Sequence, residues 1–454
     1  MRNSTSKQAH TSKRRTKILM TPLGSIVKSG SPIEDINYLI NLSTIPITIR
    51  TATCTRTEYR NNWIRSRGLY IFPKFIIKLI DEDHKPRYRL VISKDGILNQ
   101  VTYPPFKLTL RDYQNTLLSD GLNALHKFNI YGGVIINIGT GLGKTIIALK
   151  MIADLSLPTV IVIPKLVIKQ QWEDSIIDVF GTMPDSIMIV TYQLLLRRTK
   201  SFKYVPLLVV DEVHHYGAEK LMTIMMRINH NYVIGLSATI EREDGSDELF
   251  MQHFNTTLTT NIKPYSNTLK AVFVITRDPC NCHTFIEYQK WASANIMMFF
   301  DWVAPRVIND HNRKTLFVTR LVKDAEAISN KLDARGVKHV LITGSRSKKV
   351  INEGLLDDES NRAIVGTYGT VGEGFDVKWL NTLVILMPLR ASLEQLVGRV
   401  QRKSHVIPVM VYDFIAYSSN IAKYQMEYKE ETLNALGFDV SHTYMYNDPY
   451  GDMI

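Results

Sequence analysis

Between an apolar run, Val134 to Ile136, and a helix-like run, Ile146 to Ile152, stands the stretch Ile138-Gly139-Thr140-Gly141-Leu142-Gly143-Lys144-Thr145. Strand, glycine loop and helix in that order are the context of a phosphate-binding loop. The glycines let the backbone curl so that several N–H groups converge on one phosphate, and the following helix adds the positive end of its dipole. Lys144 is placed to reach the outer phosphates and the Thr145 hydroxyl to ligate Mg²⁺. The candidate nucleotide contacts here are Gly139, Thr140, Gly141, Leu142, Gly143, Lys144 and Thr145. One position departs from the usual motif: Ile138 stands where a small residue is expected.

The surrounding chain has the rhythm this loop requires. From about residue 106, apolar runs of strand length alternate with amphipathic helical stretches: Val134–Ile138, Val160–Ile163, Ile187–Val190, Leu207–Val210 and Val233–Leu236. A second series follows at Leu316–Val318, Val340–Ile342, Ala363–Val365, Leu383–Leu386 and Val409–Tyr412. Such alternation predicts α/β architecture, parallel sheets with both faces covered by helices. Residues 262–300 fall between the series and are read as a linker or helical insertion, helical from Phe285 to Phe300. The turn-rich end, 441–454, is read as a tail.

Charge separates the first third from the rest. The net charge is +12, and residues 1–105 carry 18 Lys/Arg against 7 Asp/Glu, which leaves the remainder nearly neutral. Residues 1–17, with six Lys/Arg and no acid, read as a disordered basic arm. Residues 18–105 read as a small β-rich domain in which basic residues and aromatics interleave: Arg60, Trp63, Arg65, Arg67, Tyr70 and Lys74. A basic surface of this kind suits a polyphosphate partner, DNA or RNA; the alternative is a solvated basic face. With no apolar run long enough for a membrane span, no membrane partner is expected. Three cysteines argue against a disulfide framework and for a reducing compartment. Cys280-Asn281-Cys282-His283 has the look of a metal cluster, but Cys54 is the only other cysteine and a closed four-ligand site is hard to assemble.

Two further motifs carry chemistry. Leu207 to Val210 runs into Asp211-Glu212-Val213-His214, which puts two carboxylates at the carboxyl edge of a sheet, where α/β proteins bind ligands. Asp211 would hold Mg²⁺ and Glu212 would polarise the attacking water. The next strand ends in Ser237-Ala238-Thr239.

In this order and spacing, these elements resemble motifs I, II and III of the superfamily 2 helicases. Others agree. Arg111-Asp112-Tyr113-Gln114 resembles the upstream element whose glutamine reads adenine. Thr159 to Lys165 with Gln171-Trp172 resembles motif Ia, and Val190-Thr191-Tyr192-Gln193 the element after it. Leu316-Phe317-Val318 resembles motif IV. Gly366 to Thr370, continuing through Gly372-Glu373-Gly374-Phe375-Asp376, resembles motif V. Gln395-Leu396-Val397-Gly398-Arg399-Val400-Gln401-Arg402 resembles motif VI. The resemblance spans about residues 106–415. Asp211 to Ala218, and Glu241-Arg242-Glu243-Asp244 after motif III, resemble the XPB and UvsW type, and the compact build resembles a phage or viral branch-migration enzyme.

The resemblance implies two tandem RecA-like domains, 106–261 and 301–440, behind the basic β-rich domain. It implies an ATPase that needs Mg²⁺, with 3′→5′ polarity. Lys144, Asp211, Glu212, Gln395, Arg399 and Arg402 would be catalytic, with Arg399 and Arg402, three apart, on one helix face. Arg111, Gln114, Gly374 and Asp376 would add nucleotide contacts. Lys165, Thr191, Arg242, Thr343, Thr367 and Thr370 would grip nucleic acid, chiefly its phosphates. Partners would be forked, branched or single-stranded DNA and the proteins of replication or recombination, in the cytoplasm of a bacterium or infected cell, or in a eukaryotic nucleus. Two alternatives stay open: an RNA helicase or transcription-associated translocase, and a nucleic-acid-binding protein without ATPase, which Ile138 alone favours.

Overall fold

A computed structural model of the chain describes residues 15–50, 55–95, 98–139, 141–166, 168–198, 202, 204–213, 216, 218–238, 245–260, 268–276, 278–344, 354–356, 358–371, 377–389 and 393–445. The chain divides into two compact units, Met1–Ile138 with Gly143–Asn261, and Gly139–Leu142 with Ile262–Ile454.

The first unit opens with seven strands: β1 (Thr16–Met20), β2 (Ser25–Lys28), β3 (Thr44–Arg50), β4 (Thr55–Asn61), β5 (Ile64–Ser66), β6 (Leu69–Phe72) and β7 (Tyr88–Ile92). Five of them form a sheet of order β5-β6-β2-β1-β7, and β3 and β4 form a separate antiparallel ribbon. Period-two patterning sets the buried face: in β1, Thr16, Ile18 and Met20 point inward. Their neighbours are Val27, Phe72 and Ile76, with Ile36 and Leu39 from the helix Ile33–Leu42. The β-rich domain is thus present, and its first strand begins inside the segment read as an arm; residues 1–14 lie outside the described residues.

The next six strands are β8 (Gly132–Asn137), β9 (Thr159–Ile163), β10 (Ile187–Thr191), β11 (Tyr204–Val210), β12 (Asn229–Ser237) and β13 (Thr256–Thr259). They form one parallel sheet of order β10-β9-β11-β12-β8-β13. Every residue of β9 is buried, as a strand covered on both faces requires.

The two sheets of this unit are joined by a polar seam. Asn62 donates through Nδ2 to the Leu249 carbonyl at 2.6 Å and to Gln252 Oε1 at 3.0 Å, while His253 Nε2 donates to Asn62 Oδ1 at 3.1 Å. Gln252 Nε2 donates in turn to the Leu42 carbonyl at 2.9 Å. Lys74, read above as part of the basic surface, is buried, and its ammonium donates to the His230 carbonyl. Tyr70 is buried too, whereas Arg65 is exposed and lies over its ring.

The second unit holds β14 (Leu269–Thr276), β15 (Thr315–Thr319), β16 (His339–Ile342), β17 (Ala363–Thr367), β18 (Thr382–Ile385), β19 (Val409–Ala416) and β20 (Asp439–Tyr444). They form a second parallel sheet, ordered β16-β17-β15-β18-β19-β14-β20. Both expected RecA-like α/β domains are therefore present. Two boundaries read from sequence need correction. Within 262–300, Leu269–Thr276 is strand rather than linker, because β14 pairs with both β19 and β20 inside the sheet. The start of the expected tail is strand as well, since β20 runs to Tyr444. The helical stretch from Phe285 is two helices, Phe285–Ala294 and Ile296–Ile308, and Phe299 and Phe300 of the second are core residues.

Candidate nucleotide site

Strand β8 delivers the chain to the loop, and the helix Lys144–Leu155 leaves it. Gly141 (φ +81°) and Gly143 (φ +80°) take the left-handed region, which a residue with a Cβ adopts only under strain. A Cβ on Gly141 would meet nothing within 4 Å, whereas one on Gly143 would come within 2.5 Å of Gln114 Nε2. Gln114 thus lies directly on the loop, held there because its Oε1 accepts the Arg111 N–H at 3.0 Å at the start of the helix Asp112–His126. Arg111 itself is exposed.

Ile138 has a plain explanation. Its side chain is buried, as the continuation of a core strand, and its carbonyl accepts a hydrogen bond from Lys144 Nζ at 3.0 Å. What the loop takes from this position is a backbone oxygen, so the departure from the usual small residue leaves the chemistry intact.

The carboxylates sit at the carboxyl end of β11. Asp211 N donates to the Val162 carbonyl at 2.9 Å, and Asp211 Oδ2 accepts from Trp172 Nε1 at 2.9 Å. Trp172 lies on the buried face of the helix Ile168–Phe180. Glu212 has φ +49°, a left-handed conformation for a non-glycine residue; such strain costs about 1–3 kcal/mol and clusters at functional sites. Burial, and then the neighbouring Glu212, push the Asp211 carboxyl up to about 7, against the opposing pull of the Trp172 hydrogen bond and the Lys144 ammonium. Lys144 and the two acids therefore act on one another through the field of the site. Tyr216, buried with its hydroxyl on the Val162 carbonyl at 3.2 Å, is raised well above its ordinary value by burial and by both acids. Ser237 closes β12 and is buried.

These residues fit a magnesium nucleotide. Two carboxylates crowded into a buried site, one of them raised to about 7, form an under-neutralised pocket that a divalent cation relieves. Open space beside Gly141 leaves the backbone accessible to a phosphate. Asn137 Oδ1, at the end of β8, is a buried acceptor with no hydrogen-bond partner among the described residues. The role of Trp172 was not readable from sequence: it meets Asp211 across 39 residues, through helix packing alone.

The remaining candidates divide. Thr140, Arg242, Gly374 and Asp376 lie outside the described residues, as do His214 and Thr239. Lys165 is exposed after β9. Thr191 caps the helix Tyr192–Arg197, its hydroxyl accepting the Leu194 N–H at 3.4 Å. Thr367 is buried, with its hydroxyl 2.8 Å from that of Thr370. Thr343 is 1% exposed, which withdraws its hydroxyl from the surface where a phosphate contact was expected.

Arg399 and Arg402 do not share a helix face. The helix Leu393–Val397 carries Gln395 and ends before them; Arg399 N and Val400 N then bond three residues back, to Leu396 and Val397, in tight turns. Gln395 and Arg399 are buried and Arg402 is partly buried.

Comparison with known proteins agrees with this geometry. A family model described as "Type III restriction enzyme, res subunit" matches residues 107–242. "Putative helicase 161L" of Invertebrate iridescent virus 6 is 25% identical over 373 residues, 71% of this chain and 80% of that protein. "DNA 3'-5' translocase XPB2" of Sulfurisphaera tokodaii is 31% identical over 170 residues, 35% of this chain and 37% of its own length. "Putative ATP-dependent RNA helicase QP509L" of African swine fever virus is 24% identical over 331 residues, 60% of this chain and 62% of its own.

Proposed function

We propose that this chain, which belongs to the superfamily 2 helicases of the XPB- and UvsW-like kind, is a DNA translocase that couples ATP hydrolysis to unwinding or branch migration. The observation that carries the hydrolytic part is the acid pair at the end of β11, held by Trp172 and in electrostatic reach of Lys144. ATP and Mg²⁺ are the cofactors of the family.

In this reading the loop amides from Gly139 to Gly143 bind the phosphates, and Gln114, beside Gly143, reads the base. Lys144 leaves the Ile138 carbonyl for the outer phosphate oxygens. Thr145 and Asp211 would hold Mg²⁺, which would supply positive charge to the transferring phosphoryl group. Glu212 takes the proton of the attacking water. Hydrolysis further requires Gln395, Arg399 and Arg402; an arginine in that role is worth roughly 10³–10⁵ in rate. Lys165 is the exposed contact that best suits a phosphate backbone, with Thr191 and Thr370 partly exposed.

DNA as the track, and 3′→5′ as the direction, rest on the archaeal relative, whose name states both. An RNA track is the second reading, supported by the name of the swine fever virus relative. The test is ATP hydrolysis in the presence of forks, Holliday junctions, plain DNA duplex and RNA duplex. Forked or branched DNA should stimulate most, and Lys144→Ala should lower the stimulated rate by roughly 10²–10³-fold, the scale of losing one transition-state donor. Stimulation by RNA alone would replace the first reading with the second, and no stimulation by any of them would sink both.

A further inference from the structure

The turn between β14 and the helix Phe285–Ala294 holds a cysteine pair for which ATP hydrolysis and translocation have no use. Its backbone is anchored at both ends. On the strand side, Thr276 Oγ1 donates to Asp278 Oδ2 at 2.8 Å. On the helix side, Thr284 caps with its hydroxyl on the Glu287 N–H at 3.2 Å, and Glu287 Oε2 accepts the His283 N–H at 2.8 Å. Between these anchors, Cys280 N donates to Ser418 Oγ at 2.9 Å, and Trp291 Nε1 donates to the Pro279 carbonyl at 3.0 Å.

The result is that Cys280 Sγ and Cys282 Sγ lie 2.8 Å apart as free thiols. The two differ in environment. Cys280 is 2% exposed and belongs to the core of this unit, and burial, then the Cys282 sulfur, push its thiol up to about 12. Cys282 is partly exposed. Among the described residues no group of three or more His, Cys, Asp or Glu is arranged to hold a metal. What the geometry provides is a partly exposed thiol backed by a second, buried thiol 2.8 Å from it.

We propose that Cys280 and Cys282 form a thiol-modification site, closing a reversible intrachain disulfide by exchange with a small disulfide of the glutathione class. Cys282, as thiolate, attacks one sulfur of oxidised glutathione; the sulfur–sulfur bond breaks and one glutathione leaves, taking up a proton. Cys280 then gives up its proton and attacks the Cys282 sulfur, expelling the second glutathione, which takes up that proton. One disulfide is reduced and one is formed, so electrons and protons balance. A pair separated by a single residue closes a small, strained ring, and strained disulfides are the readily reduced ones. The pair therefore rests as a dithiol in a reducing compartment and closes only as the glutathione pool turns oxidised.

The full chain carrying Cys54→Ser retains these two cysteines. It should be equilibrated across a series of oxidised-to-reduced glutathione ratios, its free thiols titrated and its tryptic peptide 278–290 weighed. Both thiols should disappear together, the peptide should lose two hydrogens, and dithiothreitol should restore it. Adding Cys280→Ser should halt the reaction at a glutathione adduct on Cys282, and adding Cys282→Ser should leave Cys280 unmodified. The titration of the unsubstituted pair does not depend on how well either variant folds. Persistence of both thiols at every ratio, or two stable glutathione adducts with no internal bond, would overturn the proposal. Catalytic activity is not read in this test, so its failure is separate from failure of the translocase reading.

Discussion

At Asp211, charge and burial oppose each other. Its carboxyl is raised from 3.8 to about 7, so the protonated form is favoured in the folded state. The stability this contributes is complete below the unfolded value and is lost as pH rises through about 7. The protein free of nucleotide should therefore melt at progressively lower temperature between about pH 4 and pH 7 from this group. Asp211→Asn, which has no proton to lose, should flatten that part of the profile while abolishing hydrolysis. Parallel profiles for the two proteins would show that Asp211 ionises without penalty. Trp172→Phe keeps the ring and deletes the N–H that fixes Asp211 Oδ2. Removing such an outer partner of a metal ligand costs about 10–100-fold. The expected readout is a rise of that size in the Mg²⁺ concentration needed for half-maximal ATPase, and an unchanged requirement would count against the assignment.

Between elements, the seam that joins the β-rich sheet to the first motor sheet ties distant segments together. Asn62 makes three hydrogen bonds there, to Leu249, Gln252 and His253, all buried. Asn62→Ala strands their partners away from water at about 1–3 kcal/mol for each buried group left unsatisfied. Urea denaturation should show the first unit losing at least about 2 kcal/mol in one transition. Separate transitions for the β-rich and motor parts would mean the seam does not couple them. His253 pulls the other way with pH: burial, and then the Lys74 charge nearby, lowers it from 6.5 to about 3. Its contribution is present above the unfolded value and lost as pH falls toward about 3. Little of this was legible in sequence. Lys74 read as one more basic surface residue, yet it lies under the sheet with its ammonium on His230, 156 residues away. Composition counts charges without saying which face they take. The same limit applies to β20, whose sequence Asp439–Tyr444 is mostly polar and which is a strand because it pairs with β14; β14 itself holds a continuous apolar run, Ala271–Ile275, that is legible as a strand.

Across the whole molecule, any contribution of the basic first third to nucleic-acid binding would come only through residues that remain on the surface. Removing residues 1–105 outright would also remove Asn62 and Lys74 from the seam, so loss of binding would report unfolding as well as lost charge. Arg65 and Arg67 are exposed and the better probe. Replacing both with Ser should flatten the plot of log affinity against log salt by about 1–2, given a slope of roughly −0.7 to −0.9 per phosphate neutralised. An unchanged slope would place the phosphate contacts elsewhere.

Local chemistry was written in the chain itself. The glycine loop, the acids that end β11 and the alternation of strands and helices depend on residues adjacent in sequence, so their order was enough to find two RecA-like domains and a nucleotide site. Tertiary structure decided the rest: that Ile138 serves through its carbonyl, that Trp172 fixes Asp211, that Arg399 and Arg402 follow a helix rather than share its face, and that Lys74 is buried. Each of these turns on where a chain segment stops or what it packs against, and packing is settled by partners that sequence order does not reveal.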